Sequence, residues 1–307
     1  MSLARDALIK RLESISAILA NPLSHDTSPT PDPGSIAATS RNGLTVMIFC
    51  ALEAFVRDRS TECGDHLSKR KVPFSLLPTA MQDAALVRQF EVLAKKTRIP
   101  NRTIEFQNQI KSAARSANGI GLGVTKHAFS PSGSNVQDGE LDSLAKMFGA
   151  KTFFAESDKI IKHAKLSFGS LSSKGAFERL RDARHSCAHN SAHIETHSSV
   201  ISYLSWATLL CFAFDCICSI GANHLTSAAS TASPPIQFNK FPIVTYGPSI
   251  NGAWKNPITA SGSVKPANFR SFSRLSAFLT LNLAKNGGIA MEHGNNGLLK
   301  SWITCCP

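Results

Sequence analysis

Apolar residues recur at helical spacing through most of the first 222 residues, and this periodicity restricts the possible folds more than any other feature. In the first segment they return every three or four positions until the break at Asn21 and Pro22. The residues that form this first stripe are Leu3, Ala7, Leu8, Leu12, Ile15, Ile18 and Leu19. Strand-like alternation of useful length is not found in this part of the sequence. The pattern therefore predicts an all-α fold, an antiparallel helical bundle.

The same pattern and a later change in composition predict how the chain is organised. Further helices are expected at about 35–60, 78–97, 102–117, 140–148, 156–166, 172–188 and 194–222. Beyond residue 222 the chain is rich in Ser, Ala, Asn, Gly and Pro. We therefore expect a helical bundle over 1–222 and a basic, low-periodicity extension over 223–307, with a short strand at 241–247 and a helix at 269–283.

The charge of the chain indicates an anionic partner. The net charge is +12, and the extension alone carries seven Lys/Arg residues against one acidic residue, Glu292. A surplus of this size favours nucleic acid as the partner, although it also serves solubility. The extension is either a partly ordered segment that packs on the bundle or a cationic arm that grips a phosphate backbone.

The cysteines and the first residues predict a cytoplasmic protein. None of the eight cysteines forms a C-x-x-C pair, so free thiols in a reducing compartment are expected. The first 22 residues carry charges through an amphipathic repeat and lack the apolar stretch of a secretory signal.

The apolar run 200–222 is long enough to span a bilayer, so a membrane helix has to be weighed against a buried one. Asp215 lies in its second half, and no Lys/Arg cluster follows its end, as an orienting flank would require. A helix that is apolar on all sides also occurs at the centre of a bundle. We favour the central helix and expect no membrane partner.

Arginine and histidine concentrate in the stretch 177–197, FERLRDARHSCAHNSAHIETH. Its histidines follow one another at i, i+4 steps: His185, His189, His193 and His197. Neighbouring members of such a ladder could bind a metal ion on one helix face, or all four could be surface residues without a role. The ladder drifts by about 40° per step, and Glu195, the one carboxylate near it, falls on a different face. Asn190 and Ser191 are typical of a helix interruption.

Within this stretch, RDARHSCAHN (residues 181–190) resembles the R-x(4–6)-H signature of the HEPN ribonucleases. Arg184 is the arginine of the signature and His189 is its histidine. SRNGLTVMIFCALEAFVRDR is similar to the early helix of the RiboL-PSP-like branch, and SGSNVQDGELDSLAKMFGA, residues 132–150, is similar to its connector. The resemblance covers about residues 35–222. It implies a HEPN-like bundle and a metal-independent endoribonuclease that needs no cofactor, and a role as a toxin or in defence against phage. It further implies a homodimer with both motifs in one cleft, and an antitoxin or regulatory partner.

The chemistry of RNA cleavage needs the groups that this motif contains. A base takes the 2′-hydroxyl proton, an acid protonates the leaving 5′-oxygen, and a cation holds the charge that grows on the phosphate. Histidine titrates near neutral pH, and a guanidinium binds phosphate oxygens bidentately. We therefore expect Arg184 and His189 to be catalytic, with support from Arg181, His185, Asn190 and Glu53.

Arg184 and His189 are about 140° apart around an ideal helix, so they cannot act on one phosphate from the same helix face. Either the helix bends or ends near 187–190, or a second subunit completes the site. Two other functions remain open: a HEPN-like module that binds RNA, nucleotide or protein without cutting, and a metal-dependent hydrolase that uses His189 and His193.

Glu53 shares a helix face with apolar residues and is expected to be partly buried. A buried carboxylate needs a partner. The structural interpretation is an ion pair with Arg181 or Arg41, and the functional one is a group that orients Arg184 or a histidine.

Overall fold

The protein, described by a computed structural model, is mostly helical, as the periodicity predicted. The structure describes residues 2–25, 32–88, 136–227, 236–238, 241, 243–248, 254–255, 268–269, 289–293 and 299–304, and single positions between 104 and 118. Its helices are α1 (Leu3–Leu19), α2 (Ile36–Lys69), α3 (Thr79–Asp83), α4 (Asp138–Met147), α5 (Phe153–His163), α6 (Ser173–His189) and α7 (His197–Ser227). Short 3₁₀ turns lie at Pro22–Ser24 and Phe74–Leu76, and a π-helical turn at Ala84–Arg88 follows α3.

Serine caps fix where three of these helices begin. The side chains of Ser2, Ser35 and Ser172 each accept a backbone N–H from the first turn of α1, α2 and α6. A serine hydroxyl in this position satisfies one of the amide groups that a helix start leaves without a partner. Sequence and structure therefore agree closely at these boundaries.

Helix α2 is longer than predicted, since it continues past Ser60 to Lys69. The hydroxyl of Ser60 donates to the carbonyl of Val56 at 2.7 Å, which accommodates the polar side chain within the helix. Cys63 and Leu67 then continue the buried stripe. Of the predicted helix at 78–97, the structure describes only the start as α3 and the π-helical turn, and most of the predicted helix at 102–117 lies outside the described residues.

Helix α7 lies at the centre of the bundle. It packs against α2, α5 and α6, and the rings of Phe153 and Phe214 are 5.9 Å apart. At Gly221 a side chain would collide with the carbonyl of Phe148, so a glycine permits this close approach. By length and composition α7 could cross a membrane, but 67% of its most apolar window is buried in the protein. Because a buried core helix has the same composition, this is weak support for a membrane span.

The described part of the extension forms a small sheet. Its strands are β1 (Ile243–Pro248), β2 (Trp254–Lys255), β3 (Asn268–Phe269), β4 (Ile289–His293) and β5 (Leu299–Thr304), in the spatial order β3-β2-β1-β4-β5. The predicted strand at 241–247 is confirmed as β1, which pairs in parallel with β4. At the start of the helix predicted over 269–283, Phe269 belongs to β3 and pairs with Trp254, so the prediction is wrong there. Residues 270–283 lie outside the described residues.

The sheet is joined to the bundle through β5. Trp302 is 1% exposed and meets Phe55 and Phe212 edge-on at 6.4 and 5.6 Å. Its indole nitrogen donates to the carboxylate of Asp215 on α7 at 2.7 Å. The described part of the extension therefore packs on the bundle, as the first of the two interpretations expected.

A buried group of charges, which we call the Asp215 cluster, connects α1, α2, α7 and β5. It comprises Asp215, Arg5, Arg59, Ser219, Trp302 and Thr304. The Nε atoms of Arg5 and Arg59 each donate to the Asp215 carboxylate at 2.7 Å. Burial alone would raise the pKa of Asp215, but the two guanidinium groups outweigh it and hold the pKa well below its usual range. Asp215 is therefore an internal anion that holds the elements together.

Candidate functional site

The site predicted from the sequence lies where α6 ends and the chain turns toward α7. Helix α6 ends at His189, and Asn190 leaves helical geometry while its N–H still donates to the Ser186 carbonyl at 2.9 Å. The Asn190 side chain accepts the N–H of Ala192 at 3.0 Å, and its carbonyl accepts the N–H of His193. The interruption predicted at Asn190 is confirmed. We call the segment that follows, 190–196, the α6–α7 turn.

The two histidines of the last turns of α6 are both exposed. The ring centroids of His185 and His189 are 4.8 Å apart, and the rings are tilted by 51° to each other, as expected for residues one helical turn apart. Exposed imidazoles can exchange protons with solvent or with a bound molecule. The structure therefore presents two neighbouring imidazoles at the surface.

Arg184 faces α2 and is partly buried. Burial raises the pKa of both Glu53 and Cys50, and the positive charge of Arg184 opposes that rise. Burial is the largest influence on Glu53 and leaves its pKa above the usual value, although Arg184 and a hydrogen bond from the Val136 N–H oppose that rise. The bond from Val136 measures 2.6 Å.

The expected ion pair of Glu53 with Arg181 or Arg41 is wrong. Arg41 donates to the carbonyls of Glu195 and Ser24 at 2.6 and 2.9 Å, and therefore holds loops rather than a carboxylate. Arg184 is instead the arginine on the motif helix whose charge acts on Glu53. A role of Glu53 in orienting Arg184 or a histidine stays a prediction.

Arg181 binds two carboxylates of its own. Its Nη1 donates to Asp138 at 2.9 Å, which joins α6 to the first residue of α4, and its Nε donates to Asp182 at 3.1 Å. The side chain is about one third exposed. Its contacts thus make Arg181 a link between helices, and a supporting role toward a phosphate stays a prediction.

The structure keeps the angular separation of Arg184 and His189 around the helix axis that the helical wheel predicts. Helix α6 does end within the predicted interval, but only after His189, so both residues belong to a regular helix. Their side chains therefore leave the axis about 140° apart. Completion of the site by a second subunit stays a prediction.

The histidine ladder does not continue on one helix, which corrects the metal site considered from its spacing. His193 lies in the α6–α7 turn, and its Nε2 is 2.8 Å from a carboxylate oxygen of Glu195. Potential ligand atoms of Cys187, His193 and Glu195 all lie within 4.8 Å of one another. The sequence argument placed Glu195 on a different face because it extended the helix through the turn. The early stop at Asn190 was the signal for the correct arrangement.

A groove runs beside these residues and opens to solvent. It has a volume of about 530 Å³, and its walls include Arg179, Asp182, His193, Glu195, Tyr203 and Trp206. The Tyr203 hydroxyl donates to Glu195 at 3.3 Å. Burial, together with the Glu195 carboxylate, raises the pKa of Tyr203 to about 12, so this hydroxyl keeps its proton at neutral pH.

Comparison of the chain with models of protein families, with curated proteins and with solved structures finds no match.

Proposed function

We propose that the protein is a metal-independent endoribonuclease of HEPN type, with Arg184 and His189 as its catalytic pair. The observation that carries the proposal is the pair of exposed imidazoles of His185 and His189, which lie in contact on the same helix as Arg184. The positive charge of Arg184 also acts on the Glu53 carboxylate. The net charge of +12 favours an anionic substrate such as RNA.

The proposed reaction is an attack of the ribose 2′-oxygen on the adjacent phosphorus. A histidine takes the 2′-hydroxyl proton, the bond from phosphorus to the 5′-oxygen breaks, and a protonated histidine returns a proton to that oxygen. The products are a 2′,3′-cyclic phosphate and a 5′-hydroxyl end. DNA lacks the 2′-hydroxyl, so a DNA strand of the same sequence is not cut.

Arg184 would stabilise the negative charge that develops on the phosphate oxygens. A guanidinium stays charged at all relevant pH values and offers two parallel N–H donors to a phosphate. Glu53 would act as a positioning residue for this arginine, since it is itself held by the Val136 N–H.

A homodimer would bring the catalytic groups together. In a two-fold dimer the same surface of each chain meets its copy, so the ends of two α6 helices can line one cleft. The arginine of one chain could then act with the histidine of the other, which removes the obstacle of the 140° separation. The proposal therefore includes a cytoplasmic dimer that acts as a toxin or in antiviral defence, restrained by an antitoxin or a regulatory partner.

The test is cleavage of a labelled RNA by the full chain in EDTA. We expect wild type to cut and Arg184→Ala and His189→Ala each to lose on the order of 10²-fold or more in rate. Arg11→Ala, an exposed arginine on α1, matches the loss of charge and should leave the rate unchanged.

Other results of this assay would distinguish the two alternative functions from the proposed one. Cutting that stops in EDTA would favour the metal-dependent hydrolase. Binding of RNA without cutting would favour the HEPN-like binding module, and equal rates for wild type and both variants would exclude Arg184 and His189 as the catalytic pair.

A further inference from the structure

The end of α6 and the α6–α7 turn contain a cluster of three potential metal ligands that does not include Arg184 or His189. Cys187 is near the end of α6, His193 is inside the α6–α7 turn, and Glu195 is at the end of that turn. Ligand atoms of the three residues lie within 4.8 Å of one another. In a tetrahedral site with metal–ligand bonds of 2.0–2.3 Å, neighbouring ligand atoms are about 3.5 Å apart. A contraction of at most about 1.3 Å in the longest separation would therefore close the cluster around one ion.

The types of ligand select among metals. A thiolate, an imidazole and a carboxylate together suit zinc, which accepts sulfur, nitrogen and oxygen ligands. Magnesium and calcium prefer oxygen ligands alone, and the cluster offers them one carboxylate.

The backbone of the turn is held in place from α2. The Asn42 side chain donates to the His193 carbonyl at 2.7 Å and accepts the Glu195 N–H at 3.1 Å. Arg41 donates to the Glu195 carbonyl at 2.6 Å. Both ligands of the turn are therefore fixed by backbone contacts before any ion arrives, and their side chains have only to rotate.

The surroundings offer a hydrogen-bond donor to one ligand and access for a water molecule, two features that zinc sites commonly have. Tyr203 donates to the Glu195 carboxylate, which can orient an oxygen ligand. His193 and Glu195 also line the open groove, so a water molecule can reach a fourth position. A set of three protein ligands with one open position is the arrangement that zinc adopts where it binds water or substrate.

We propose that Cys187, His193 and Glu195 form a site for one zinc ion per chain, with a water molecule as the fourth ligand. Binding replaces the contact between His193 and Glu195 by bonds to the metal and releases the thiol proton of Cys187 to solvent. The ion would fasten the α6–α7 turn to the end of α6. This site is separate from the proposed ribonuclease reaction, which uses no metal.

The test is the spectrum and the metal content of the full-length protein. Purified wild type, dialysed without chelator after incubation with zinc, should retain one zinc per chain. After exchange with Co²⁺ it should show the intense near-ultraviolet band of a thiolate–cobalt bond. Cys187→Ser should lose that band, and His193→Ala and Glu195→Gln should lose the bound zinc. Cys50→Ser removes an exposed cysteine of α2 and should retain both signals.

The wild-type result decides the proposal even if a variant fails to fold, which circular dichroism would reveal. Wild type without retained zinc, or with a cobalt spectrum that lacks the thiolate band, would overturn it. A band that survives in Cys187→Ser but disappears in Cys50→Ser would overturn it as well. Because neither readout involves RNA, the zinc site and the ribonuclease can fail independently.

Discussion

The Asp215 cluster and the end of α6 both contain arginines beside a carboxylate, but they use them in different ways. In the Asp215 cluster the carboxylate is completely buried and receives both Arg5 and Arg59 as well as the Trp302 indole. At the end of α6, Arg184 is only partly buried, and the histidines beside it are exposed. In the Asp215 cluster the charged groups bind one another and hold the helices and the sheet together. At the end of α6 the polar groups stay accessible to a ligand.

The largest expected effect comes from breaking the first region with Asp215→Asn. The substitution keeps the shape of the side chain but removes the carboxylate charge that Arg5 and Arg59 share, although Arg59 keeps an ion pair with Glu62 at 3.0 Å. Loss of one member of a buried ion pair costs about 3–5 kcal/mol. We expect a loss of that size in the free energy of unfolding, measured by denaturant titration.

Asp182→Asn is the matched control, because Asp182 is exposed and pairs with Arg181 at the surface. It should change the unfolding free energy little, since exposed ion pairs contribute little. An equal effect of the two substitutions would contradict the buried role of Asp215.

A smaller effect is expected from Trp302→Phe, which separates the packing of β5 from its hydrogen bond. The aromatic contacts with Phe55 and Phe212 can persist, while the Asp215 carboxylate loses one donor. Loss of such a buried bond costs about 1–3 kcal/mol. A shift in thermal unfolding equal to that of Trp302→Ala would show instead that the bond, rather than the ring, anchors the sheet.

The pH dependence of the unfolding free energy of Glu53→Gln tests whether the Glu53 carboxylate behaves as a buried acid or as a partner of Arg184. Burial raises the pKa of Glu53, so the folded state favours the protonated acid. Its contribution to stability is present below the ordinary glutamate pKa of about 4.3 and is lost as the pH rises through the folded pKa.

Glutamine can still accept the Val136 N–H, and it carries no charge at any pH. The unfolding free energy of Glu53→Gln should therefore increase relative to wild type as the pH rises from about 4 toward neutrality. If the unfolding free energy of wild type instead increased relative to that of Glu53→Gln over this pH range, the charge of Arg184 would outweigh the effect of burial on the pKa of Glu53.

The smallest effect on stability is expected from His185→Ala and His189→Ala. Both rings are exposed and touch each other, and surface substitutions usually change the unfolding free energy by about 0.5 kcal/mol or less. Melting temperatures close to that of wild type would fit a region that is not needed for folding. A large drop in melting temperature would assign these histidines to the core.

Local sequence signals were enough to predict most of the helices. Apolar periodicity located α1 and α6 within about one residue, and the break at Asn190 was correctly predicted. The strand β1 was found from its apolar run. The two-residue strands β2 and β3 were missed because pairings such as Trp254–Lys255 have no period to detect. The longer strands β4 and β5 were missed because neither alternates strictly between buried and exposed residues.

Long-range pairing was what the sequence could not supply. Arg5, Arg59 and Trp302 are distant from Asp215 along the chain, so the composition of each segment does not indicate the cluster. The partner of Glu53 was wrong for a similar reason, since several arginines were equally available. Cys187, His193 and Glu195 were missed because a helical wheel does not apply beyond a helix end.

The ribonuclease account depends on an arginine and a histidine from two chains acting on one phosphate. Mixing purified Arg184→Ala and His189→Ala proteins under conditions of subunit exchange tests this directly. Half of the dimers then carry both substitutions in separate chains, and each of these has one of its two sites intact, so the RNA cleavage rate should recover to about one quarter of wild type. A mixture as inactive as the separate variants would contradict the shared site.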